Sequence, residues 1–198
     1  MRPCVQVETQ FIEKFLRPDL ARGDAPVMID LLVLTLFPVL VIAAGIGDFL
    51  TMKIPNWLNG LIGISFFPVA LMAGMPLEQI VWHMAAGLLV LVIAFVFFGF
   101  GLFGGGDAKM LAVVGLWLGF GQLNNFLICM VLVGGAMGIV AKVWSWVRME
   151  TNARGFESLK HLFKSSIQLP YGIAIAAGAL FSFQQSWWIA AVNGQIIG

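Results

Sequence analysis

The sequence predicts an all-α, polytopic membrane protein with six transmembrane helices. Two observations predict it. First, 60% of the 198 residues are hydrophobic and only 11% are charged, with a mean hydropathy of +0.95. A soluble domain of this length cannot hide so much apolar surface, so its solvent is largely lipid. Second, the apolar residues gather in six runs, at roughly 28–47, 57–74, 79–101, 106–121, 123–142 and 169–191. Most of them approach the ~20 residues that a bilayer core requires. In lipid the backbone must pair internally, and continuous runs of this length suit helices rather than barrel strands. The net charge of +1 gives no sign of nucleic-acid binding. Cys4 and Cys129 lie far apart and indicate neither a disulfide framework nor a zinc site. No P-loop or dinucleotide fingerprint is present.

Along the chain, residues 1–27 read as an N-terminal extension. Phe11, Ile12, Phe15 and Leu16 fall on one helical face, so this segment suits an interfacial amphipathic helix, and a disordered tail is the alternative. Residues 28–198 read as the six-helix membrane domain. The first run follows 27 residues and no small-x-small cleavage site follows it, so it is expected to be a retained helix rather than a signal peptide. It ends in "GIGDFLTMKIPN", where Pro55 and Asn56 are expected to close a loop and start helix two; proline suits a first helical turn, whose N–H would be unpaired anyway. Helix three leads into "FGFGLFGGGDAKML". Helix four is short and begins in glycine, so it is expected to start inside the protein rather than at the lipid boundary. Helices five and six follow, separated by a basic segment over 142–166. Trp57, Trp82, Trp144, Trp146, Trp187 and Trp188 sit near span ends and read as interfacial anchors, and Trp117 as a packing or lipid-facing residue.

Loop charge sets the orientation. Lys142, Arg148, Arg154, Lys160 and Lys164 lie after helix five, Lys53 after helix one and Lys109 after helix three, whereas the loops near 75–79 and 121–125 carry no Lys or Arg. The loops after helices one, three and five are therefore expected to be cytoplasmic. Arg2, Lys14, Arg17 and Arg22 then fall on the outer side, against the rule, with Glu8, Glu13, Asp19 and Asp24 interspersed.

Beyond residue 25 only six acids remain. Glu150 and Glu157 belong to the basic segment, Glu78 to a short outer loop, and Asp30 to the outer end of helix one. Asp48 and Asp107 are different: one ends helix one, the other begins helix four, and the topology puts both at the cytoplasmic edge. An ionisable group at that boundary is functional by default when no partner explains it. Lys53 and Lys109 are candidate partners, so a pair of salt bridges is the structural alternative. Lys109, two residues past Asp107, is expected to point away from it, toward lipid phosphate or a neighbouring loop. Gly104, Gly105 and Gly106 remove side chains just before Asp107, which lets a peptide backbone approach the carboxylate closely, or simply lets helices pack.

Two carboxylates brought together share one proton, which provides a base and an acid side by side. One takes a proton from water as the water attacks an amide carbonyl; the other protonates the carbonyl oxygen. That chemistry is aspartyl proteolysis, and it needs no metal and no cofactor. His83 in an apolar helix and His161 in the basic segment fall on opposite sides and make no zinc site. On the residues alone two other readings stay open: a small proton-coupled transporter, which also uses intramembrane carboxylates and glycine-broken helices, and a non-catalytic membrane component of a pilus or secretion assembly.

The pattern G-x-G-D, formed by Gly104, Gly106 and Asp107, resembles the type IV prepilin peptidases, and so does Asp48 followed by Ile54, Pro55 and Asn56. "LPYG", Leu169 to Gly172, resembles the start of that family's last helix. The similarity is greatest to the short members found with tight-adherence (Flp) pilus systems. It implies a bacterial inner-membrane, multi-pass endopeptidase that removes the leader from prepilin or pseudopilin substrates, with Asp48 and Asp107 as the catalytic pair. Gly104, Gly105, Gly106 and Lys109 would then border the substrate, and Ile54, Pro55 and Asn56 would be structural. Longer members carry paired C-x-x-C motifs tied to N-methylation of the new terminus; none occurs here, so methyl transfer is not expected.

Overall fold

A computed structural model describes residues 24–101, 104–150 and 170–192. Of the N-terminal extension expected over 1–27, residues 1–23 lie outside the described residues, as does most of the basic segment, including His161, while 24–27 open the first helix. Every described element is a helix: α1 (Asp24–Thr51), α2 (Asn56–Met72), α3 (Leu77–Gly99), α4 (Gly105–Glu150), α5 (Tyr171–Phe183) and α6 (Trp187–Val192). Three stretches are long and apolar enough to cross a bilayer, Asp30–Thr51, Leu77–Gly99 and Gly105–Trp144, and Asn56–Met72 is a shorter apolar helix. Their outer faces carry large side chains in the open, among them Ile64, Leu88 and Leu132. Apolar exposure on this scale is stable only against lipid, and the chain is a membrane protein.

Two helical boundaries differ from the hydropathy reading. Runs four and five are two helical arms, both within α4, and they meet at Gly119 rather than near 121–125; its φ of 63° and ψ of 178° lie outside the helical region. The interruption is a reversal. In the first arm, a Cβ on Gly106 would meet Ile54 and one on Gly115 would meet Val90, so this arm leaves the end where α2 begins. In the second arm, Phe126 lies against Gly178 and Gly134 faces Ala174 and Tyr171, so the chain comes back toward the start of α5. The last run, read as one span over 169–191, is likewise two helices. They are separated by a turn at Gln184–Ser186, where the Ser186 hydroxyl donates to the Phe183 carbonyl at 2.6 Å.

Breaking a helix inside an apolar core strands the carbonyls just before the break, and lipid cannot pair them. Side chains from two other helices do so here. His83 Nδ1 of α3 lies 2.8 Å from the Leu116 carbonyl, and Trp188 Nε1 of α6 donates to the Trp117 carbonyl at 2.7 Å. A carbonyl only accepts, so Nδ1 carries the proton in the His83 contact. Gly119 has no freedom to be anything larger, because a Cβ there would lie 2.8 Å from the His83 ring and the left-handed φ disfavours side chains. Around this corner pack Phe37, Phe66, Trp117, Phe183 and Trp188, all buried, with Phe37 stacked on Trp117 at 4.9 Å between centroids. Trp188 was expected at the interface; its indole N–H is needed inside, and it is fully buried. Trp57, Trp82 and Trp144 are exposed, as anchors should be.

Candidate active site

The site is at the opposite end of the bundle, where α1 stops and α4 and α5 start. Helix α1 ends in a left-handed cap: Met52 takes φ of 53°, rare for a residue with a side chain, and its N–H donates to the Asp48 carbonyl at 2.7 Å. That cap turns the chain through Lys53, Ile54 and Pro55 into α2, whose first residue is Asn56 with Pro55 in the capping position. Asp48, one turn before the cap, is 5% exposed. Its Oδ2 accepts the Gly172 N–H at 2.8 Å, across 124 residues of sequence. Gly172 is in the first turn of α5, whose free amides and positive dipole end favour an acidic group. The approach requires glycine: a Cβ on Gly172 would fall 2.6 Å from the Asp48 Cβ.

Asp107 stands in the first turn of α4 and is half-buried. Its Oδ2 accepts the Gly104 N–H at 3.3 Å, the acidic half of a capping box, in which a third-position side chain reaches back to the capping residue's amide. Gly104 is therefore a capping residue as well as an open approach; a Cβ on it would come 3.0 Å from Asp107 Oδ2. Three contacts fasten this turn to the α1–α2 corner. Gly106 packs against Ile54, where a Cβ would meet the Ile54 carbonyl at 3.3 Å. Asn59 Nδ2 donates to the Gly106 carbonyl at 3.1 Å, and Lys109 Nζ donates to Asn56 Oδ1 at 2.8 Å. Ile54, Pro55 and Asn56 thus serve as the seat on which the glycine turn rests.

Asp48 and Asp107 lie within range of each other's charge. Among the described residues neither forms an ion pair with Lys53 or Lys109, and Lys109 is directed to Asn56 instead. The salt-bridge alternative therefore has no support in the geometry. Gly105 lies beside the Phe98 ring.

Two participants escaped the sequence reading. Asn59, 3% exposed, holds the Gly106 carbonyl while its own Oδ1 is without a partner. Its signal was available: an amide inside an apolar run, three residues beyond Asn56. The Gly172 amide left only a faint signal, since "LPYG" marks a helix start but not what that start would touch. What the arrangement can do chemically is present two carboxylates, each steadied by a backbone amide, beside a glycine turn free of side chains.

Residues 35–139 match the family model described as "Type IV leader peptidase family". The matched stretch is more than half of the chain and contains both aspartates. No curated protein and no solved structure matches the chain.

Proposed function

Since the chain belongs to the type IV leader peptidase family, we propose that it works as a membrane aspartyl endopeptidase that removes the leader from prepilin-like substrates. One observation carries the reading: Asp48 of α1 and Asp107 of α4 come to one end of the bundle, where the Asp107 turn rests on the Ile54 corner that follows Asp48, and neither is paired with a described lysine. Such a pair can hold one proton between two carboxyl groups. The ionised carboxylate takes a proton from water as the water oxygen attacks the scissile carbonyl carbon. The protonated one gives its proton to the carbonyl oxygen, and collapse of the tetrahedral diol expels the new amine with a proton returned from the dyad. Gly104, which has no near neighbour but Asp107 itself, leaves that carboxylate open to the extended peptide, and the surrounding helices shelter the peptide backbone from lipid.

In this reading the two arms of α4 are separate spans, α5 and α6 together make the last, and the site faces the cytoplasm, where loop lysines and arginines collect. The membrane would then be the bacterial inner membrane, and the substrate an apolar helix presenting its leader at the cytoplasmic surface. The test is mass spectrometry of a co-reconstituted prepilin. Wild type yields the shortened chain and the free leader, whereas Asp48→Asn and Asp107→Asn each yield intact prepilin. Normal processing by both variants would refute the assignment.

A further inference from the structure

A groove of about 460 Å³ runs along the outside of α2 where it meets α3 and the first arm of α4. Its two ends differ in chemistry. At one end are Asn56, Asn59 and Lys109; further along it is lined by Gly60, Gly63, Ile64, Phe67 and Val113. From Asn56 to Phe67 is eleven residues of helix, about 16 Å along the axis. The glycines make the trough, since a Cβ on Gly60 would meet nothing within 4 Å. Lys109 is exposed, and its described partner is a neutral amide, Asn56 Oδ1, so no carboxylate among the described residues neutralises it. An ammonium has three N–H donors, and the Asn56 bond uses one.

We propose that this groove is a seat for one anionic phospholipid, with its phosphate on Lys109 and an acyl chain along Gly60, Gly63 and Ile64. The match is of charge and polarity together: an unneutralised cation beside the exposed Asn56 amide, and a continuous apolar trough leading from them into the lipid-facing surface. A zwitterionic lipid fills the trough equally well but brings its own cation toward Lys109. The inference does not depend on the protease reading: Lys109 and Asn56 also brace the glycine turn, but lipid retention is read without any cleavage.

The test is native mass spectrometry of the full chain, purified and equilibrated with equal amounts of phosphatidylglycerol and phosphatidylcholine bearing the same acyl chains. Wild type is expected to retain phosphatidylglycerol about fivefold over phosphatidylcholine, the selectivity one lysine gives at an anionic surface. Lys109→Gln brings the ratio to about one, and Lys109→Arg preserves it. Gly60→Leu fills the trough without touching the core, so it lowers retention of both lipids. Equal retention of the two lipids by wild type, an unchanged preference in Lys109→Gln, or undiminished retention in Gly60→Leu would each overturn the proposal.

Discussion

The two ends of this helical bundle are built from different materials. At the Asp48 end the contacts are made by backbone amides and by glycines whose missing side chains allow helices to touch: Gly172 on Asp48, Gly104 on Asp107, Gly106 on Ile54. At the Gly119 end they are made by rings, with Phe37, Phe66, Trp117, Phe183 and Trp188 packed around a chain reversal and two ring N–H groups reaching stranded carbonyls. Burying several aromatic side chains contributes far more to stability than a few amide contacts do. The difference teaches that the fold is secured at the end remote from the carboxylates, which leaves the site end free to hold costly groups and open backbone.

That contrast can be broken by substitutions that should affect one end and spare the other. The largest effect is expected at the dyad: Asp48→Asn and Asp107→Asn should each lower the cleavage rate by on the order of 10³-fold, the scale of general acid–base catalysis, with membrane abundance unchanged on an immunoblot. Gly172→Ala comes next. Its Cβ would overlap Asp48, so α5 must shift, and displacement of a catalytic group by about 1 Å costs roughly 10²-fold; the expected signature is a loss of single-turnover cleavage far larger than the loss of folded protein. Gly119→Ala should act at the other end, losing about 1–3 kcal/mol to backbone strain alone. Its readout is a lower melting temperature in detergent with the rate per folded molecule intact. Trp188→Phe is expected to touch cleavage least: it keeps one aromatic ring but removes the indole donor and leaves the buried Trp117 carbonyl unpaired, for about 1–3 kcal/mol of stability. A loss of cleavage in Trp188→Phe larger than its loss of folded protein would show the two ends to be coupled.

Hydropathy made much of this legible. It marked where lipid is the solvent, and so located the helices; it also isolated Asp48 and Asp107 as the acids that no loop explained. It did not fix the exact point of the reversal, which was expected near 121–125 and comes slightly earlier, at Gly119. Nor could it report which carbonyls a break would strand, and for that reason Trp188 was read as an anchor although it is wanted inside. The turn at Gln184–Ser186 is hidden in the same way, since a few polar residues within an apolar run barely lower its average. Asn59 was passed over because its partner, the Gly106 carbonyl, is 47 positions away and has no sequence mark of its own.

The bond from Gly172 to Asp48 has a bearing on biosynthesis. The residue that steadies Asp48 belongs to a helix that leaves the ribosome well after both aspartates, 124 positions past Asp48. A nascent chain halted before Tyr171 would carry the two acids without the amide that fixes one of them, so the pair is assembled only once α5 has been made.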